Sequence, residues 1–150
     1  MGLGKEASFR GAITETSNIK GYLGTPGELR EENGNIYRLV RAGQTLADGV
    51  VLTRIGTAVP YEVRSCLSYA APYCVNNDGT LAANTWFWGL VDGMGYVLVG
   101  SEALSPDENV GPWTGDVIPM VSNDNRQTPC AQLLLAAASG ITQLAVIKCW

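Results

Sequence analysis

The sequence contains no histidine, and that one absence removes several chemistries together. Ser-His-Asp and Cys-His nucleophilic catalysis both need an imidazole. Histidine is also the commonest transition-metal ligand, so a zinc site here would need all four cysteine thiolates from scattered places. Charge is scarce as well. Asp, Glu, Lys and Arg make up 16% of the 150 residues, against about a quarter in an ordinary globular domain. So sparse a charged surface implies that part of it is covered by another molecule. No window approaches the roughly 18 uninterrupted apolar residues of a membrane-spanning helix, so no membrane partner is expected. Met1 to Glu6 lacks the apolar region of a secretory leader. Glu6 also stands where a myristoylation signal needs Ser or Thr. The expected setting is a cytosol.

Other motifs are missing too. No phosphate-binding G-x-x-x-x-G-K-[ST] occurs, and Gly93-Met94-Gly95 begins a G-x-G without a third glycine. Glu31-Glu32 and Asp107-Glu108 are paired carboxylates in polar, turn-like settings, where solvation accounts for them. Asn76-Asn77-Asp78-Gly79 and Ser122-Asn123-Asp124-Asn125 lack the spaced acidic ligands of a calcium loop, and turn chemistry explains both. No metal, cofactor or catalytic residue is therefore assigned. No basic cluster could track a phosphate backbone, which argues against nucleic acid as a direct partner. The four cysteines, Cys66, Cys74, Cys130 and Cys149, contain no C-x-x-C pair. In a reducing compartment they read as small buried hydrophobes; if one bridge forms, the short loop makes Cys66–Cys74 the expected pair.

What the chain does have is turn residues and β-formers. Eighteen glycines and seven prolines spread along it argue for many short elements. Asn33-Gly34 supplies a turn, Ile36 to Arg41 a strand and Val50 to Thr53 a second. Tyr61 to Leu67 alternates as a strand. Thr85 to Val91 and Tyr96 to Val99 read as two arms of a hairpin around Asp92-Gly93-Met94-Gly95. On its first arm Trp86 and Trp88 share a face and Phe87 takes the other, so the strand is expected to be buried on both sides, or to lie in the core on one side and under a second subunit on the other. Ser105 to Thr114, with the lone Trp113, reads as a polar loop. Pro119 demotes Gly115 to Val121 to an edge or a bulge. A final hairpin around Ser139-Gly140 is preferred to a short helix over Leu133 to Ala138.

Residues 1–33 differ from the rest. Single apolar residues stand among glycines and polar residues, with no sustained period. This pattern suggests an extended arm that lies on a partner, with Phe9, Arg10, Ile13, Ile19, Tyr22 and Leu23 as anchors. Residues 34–150 are then expected to form the β-rich body. Charge divides along the chain: residues 1–75 hold eight Lys/Arg against seven Asp/Glu, and residues 76–150 hold two against seven.

With these stretches in view, the chain resembles the small capsid decoration (cement, or head auxiliary) proteins of tailed bacteriophages. The likeness is carried by Leu23-Gly24-Thr25-Pro26, Asn33 to Ala42, Leu46 to Val51 and Gly95 to Gly100. It implies a mainly β fold, a compact antiparallel barrel or sandwich of β-tulip type, with an N-terminal arm and at most one short helix. It further implies a non-enzymatic protein on the outer capsid surface of the virion, assembled in the host cytoplasm. The implied partners are the major capsid protein and two further copies of the chain, at three-fold and quasi-three-fold positions. Trp86, Trp88 and Trp113 are then the expected trimer contacts. A competing expectation is a carbohydrate- or receptor-binding β module that uses the same three tryptophans as stacking platforms.

Overall fold

The computed structural model describes residues 12–56, 59–66, 71–100, 103–106, 109–113, 116–119 and 130–149. The first two strands, β1 (Leu29–Glu32) and β2 (Asn35–Ala42), form a tight hairpin. Its two-residue turn takes positive φ at both positions, 53° at Asn33 and 81° at Gly34. That geometry matches the right-handed twist of the flanking strands. Eight strands follow: β3 (Val51–Arg54), β4 (Glu62–Ser65), β5 (Cys74–Val75), β6 (Trp86–Leu98), β7 (Asn109–Trp113), β8 (Asp116–Pro119), β9 (Ala131–Leu133) and β10 (Thr142–Lys148). No helix occurs among the described residues, and the mainly β expectation holds.

The ten strands of the described residues join one sheet in the order β1-β2-β4-β3-β5-β6-β10-β9-β7-β8. Every pairing is antiparallel except β2 with β4. An additional pairing of β2 with β6 lets the ladder return on itself through β4, β3 and β5. The result is barrel-like at one end, and among the described residues β8, with Pro119, is the last strand at the other, the edge position expected of a proline-bearing strand. The final antiparallel pair is also present, as β9 and β10. The expected loop around Trp113 is instead strand β7, recruited between β8 and β9.

One expectation fails outright. β6 runs unbroken for 13 residues from Trp86 to Leu98, so Asp92 to Gly95 is strand and not a hairpin turn. Its first half pairs with β2 and its second with β10. The glycines serve a different purpose there.

Alternation along β6 separates the core into layers. Trp86 and Trp88 pack with Leu23 and Leu39 on one side, and Phe87 joins Val40, Leu52 and Val63 on the other. A third cluster gathers Val51, Leu90, Val97, Leu133 and Ile147 around three of the cysteines. Burying each such aliphatic side chain contributes roughly 1.5–3 kcal/mol, which explains why a chain so poor in helix-forming pattern still holds one tertiary structure.

Candidate interaction surfaces

Two groups of exposed apolar side chains stand out on this scaffold. The first lies on the segment before β1. Ser17 exchanges two backbone hydrogen bonds with Trp86, at 2.7 and 3.1 Å, and Gly27 N–H donates to the Leu39 carbonyl at 2.8 Å. These bonds lay residues 12–28 across the tryptophan face of β6. Leu23 points inward and is 3% exposed, while Ile19 and Tyr22 point outward at 61% and 65%. A hydroxyl turn, Ile19 N–H to Ser17 Oγ at 3.0 Å, holds that outward pair in place.

This segment supplies the cover that had been expected from a second subunit. Trp86 and Trp88 are buried within the chain itself, and the Arg30 guanidinium lies 5.6 Å from the Trp88 ring centre. At 4% and 1% exposure the two tryptophans offer no open ring face for a trimer contact or a sugar; Trp86 contributes only to the lining of a hollow beside Lys20 and Arg41. Of the expected arm anchors, Leu23 is buried, Ile13 is packed against the tryptophan cluster, and Ile19 and Tyr22 remain available. Phe9 and Arg10 lie outside the described residues, as does the side chain of Trp113.

The second group covers the outer face of β6 and β10. Register places Met94 opposite Val146 and Tyr96 opposite Leu144. Met94, Tyr96 and Val146 are 51%, 51% and 42% exposed. No charged residue interrupts these rows until Asp92 meets Lys148 at one end.

Behind that face, the edge of β6 is completed by side chains. Asn35 accepts from Met94 N–H at 2.9 Å through Oδ1 and donates to its carbonyl through Nδ2 at 3.0 Å. Asn77 treats Tyr96 the same way, at 2.9 and 2.8 Å. Each primary amide thus imitates one residue of a neighbouring strand and satisfies backbone groups that would otherwise form an open edge. A Cβ at Gly93 would overlap the Asn35 amide, and one at Gly95 would overlap Asn77 Oδ1 and Leu90. These glycines serve close approach and not a turn.

Asn77 is delivered by a turn built on Asn76. The buried Asn76 amide donates to the Ala47 and Gly79 carbonyls and accepts from Asp78 N–H. Asp78 is the costly member of this turn. Its Oδ2 is buried without a hydrogen-bond partner, and burial, with Asp48 beside it, pushes its carboxyl up to about 7.

All four cysteines are buried free thiols. Burial pushes Cys66 and Cys74 up to about 12, and Cys130 and Cys149 well above the usual thiol range. The expected Cys66–Cys74 bridge does not fit the register. Cys66 bonds to Val51 and Cys74 pairs with Leu52, on opposite edges of β3. Two strand spacings put their Cα atoms about 10 Å apart, beyond the roughly 7 Å a disulfide can span. Among the described residues no group of three His, Cys, Asp or Glu could hold a metal ion.

No protein-family model matches the sequence, and no curated protein sequence matches it. The architecture nevertheless defines a known all-β fold. The chain is similar to the solved structure of the head fiber gp8.5 N base in bacteriophage phi29, with a TM-score of 0.61. That likeness covers 76% of this chain and 94% of the phage chain, at 14% sequence identity. It is a likeness of fold.

Proposed function

We propose that this chain is a non-enzymatic structural protein of a bacteriophage head, attached to the outer capsid surface by contact with the major capsid protein. The observation that carries this reading is the fold shared with a head fiber base over nearly the whole of that chain. The likeness to decoration proteins in the sequence points the same way, toward a homotrimer at three-fold and quasi-three-fold positions. Ile19 and Tyr22, held outward on residues 12–28, are assigned to the capsid contact. Self-association is assigned to Met94, Tyr96 and Val146, whose uncharged rows suit a second copy of the chain better than water.

The carbohydrate-binding alternative loses two of its three stacking platforms, because Trp86 and Trp88 are covered by the chain's own Leu23 segment. Co-sedimentation with undecorated heads tests the reading. The protein should pellet with heads, and Ile19→Asp with Tyr22→Asp should abolish pelleting without altering the melting temperature. Failure of the unaltered protein to pellet would sink the proposal. Sedimentation equilibrium of the free protein, with and without Val146→Glu, reads the oligomeric state. Deleting all of residues 1–33 is a poor test, since it strips β1 and uncovers both tryptophans.

A further inference from the structure

We infer that a cleft on either side of Val59 and Pro60 receives an acidic peptide segment of the protein surface to which this chain attaches. The inference rests on the reading that the protein binds a protein surface, and it names the chemistry of that contact. Val59 and Pro60 line two adjoining hollows. One, of about 290 Å³, is closed by Lys20, Arg41 and Trp86; the other, of about 270 Å³, by Arg54 and Tyr61.

Charge is what distinguishes this place. The whole chain carries a net charge of −4, yet three cations from three separate stretches converge on the cleft. Arg41 is held in position by Glu62 Oε2 at 2.7 Å and by Asn84 Oδ1 at 2.8 Å. That ion pair neutralises the neighbouring carboxylate. Lys20 and Arg54 are exposed and have no ion pair among the described residues. They are the charges left over for a partner.

One wall of the hollow beside Arg54 is also conformationally unusual. Tyr61 has φ of 62°, a backbone region that bulky side chains rarely enter. Two contacts hold it there: its carbonyl accepts from Arg41 N–H at 3.0 Å, and its ring lies where a side chain on Gly27 would have to be. Such strain persists where the surroundings over-determine it, and it clusters at binding sites. Here it sets an aromatic wall beside Arg54, with Trp86 and Pro60 lining the far side. Hollows on both sides of a proline ridge suit an extended chain carrying two or three carboxylates. A phosphate backbone would need a longer basic track.

Fluorescence anisotropy of a fluorescein-labelled hexaglutamate peptide with the full chain tests this. Saturable binding that weakens as salt rises is expected, and Lys20→Gln with Arg54→Gln should weaken it about tenfold. Lys148→Gln, on the distant β10, should leave it unchanged. No binding, equal binding by the double variant, an equal loss in Lys148→Gln, or tighter binding of a labelled oligothymidylate of matched charge would each overturn the proposal. Heads separate this inference from the reading beneath it. If the unaltered protein pellets with heads and the double variant pellets equally, the cleft fails while head attachment stands. If the unaltered protein does not pellet, head attachment fails, and the peptide titration alone decides the cleft.

Discussion

The side-chain amide of Asn77 pairs with both backbone groups of Tyr96, accepting at 2.9 Å and donating at 2.8 Å. One side chain thereby does the work of a missing strand residue. Asn77→Ala should lower stability by about 1–2 kcal/mol, since two hydrogen bonds are lost but water can reach part of the site. Asn77→Asp should cost more at neutral pH, because a carboxylate keeps the acceptor, loses the donor and adds charge beside Asp78. Urea unfolding should show a lower midpoint with an unchanged slope in both.

Gly95 is coupled to that amide. A Cβ there meets Asn77 Oδ1 and Leu90, so Gly95→Ala should destabilise by about 1–3 kcal/mol, the usual cost of overpacking. Were Asp92 to Gly95 a hairpin turn, the same change would be tolerated far better. The double variant with Asn77→Ala should be less destabilised than the sum of the two, because the obstruction is partly removed. Strict additivity would show that the two residues do not meet.

Asp78 should make stability fall as pH rises. Its carboxyl is held up at about 7, against an ordinary value of 3.8, so the folded state binds the proton more tightly than the unfolded state. The associated stability is fully present below about pH 4 and is lost as pH rises to about 7. Asp78→Asn removes this dependence. Its melting temperature should exceed that of the unaltered protein at pH 8, and the difference should shrink toward pH 4.

The thiols should be silent in the native protein. A thiolate is the reactive form, and burial holds all four cysteines as thiols. A colourless-to-coloured thiol reagent at pH 8 should report almost no reaction until denaturant is added, then four groups per chain. Rapid native labelling of Cys66 or Cys74 would contradict the packing described.

Leu23 ties the segment before β1 to the tryptophan face. Leu23→Ala should cost about 2–4 kcal/mol, as expected for a buried leucine. It should also shift tryptophan emission to longer wavelength, because Trp86 and Trp88 lose their cover. An unchanged spectrum would mean that residues 12–28 do not shield them.

Much of the β architecture was legible in the sequence for local reasons. Asn33-Gly34 can form only a few turns, Ile36 to Arg41 and Val50 to Thr53 have β-branched and apolar side chains at strand spacing, and Pro119 cannot donate inside a ladder. The absence of histidine likewise limited the chemistry before any fold was known. Tertiary structure decided what these local patterns could not. Whether Gly93 and Gly95 turn the chain or admit an amide depends on Asn35 and Asn77, which lie far away in sequence. Whether Trp86 and Trp88 face a second subunit or the chain's own Leu23 depends on where residues 12–28 settle. Lys20, Arg41 and Arg54 carry no shared motif, and only the fold brings Lys20 beside Arg41 and sets Arg54 across Val59 and Pro60 from them. Periodicity and turn propensity act over a few residues, whereas close approach, cover and convergent charge are set by contacts across the whole fold.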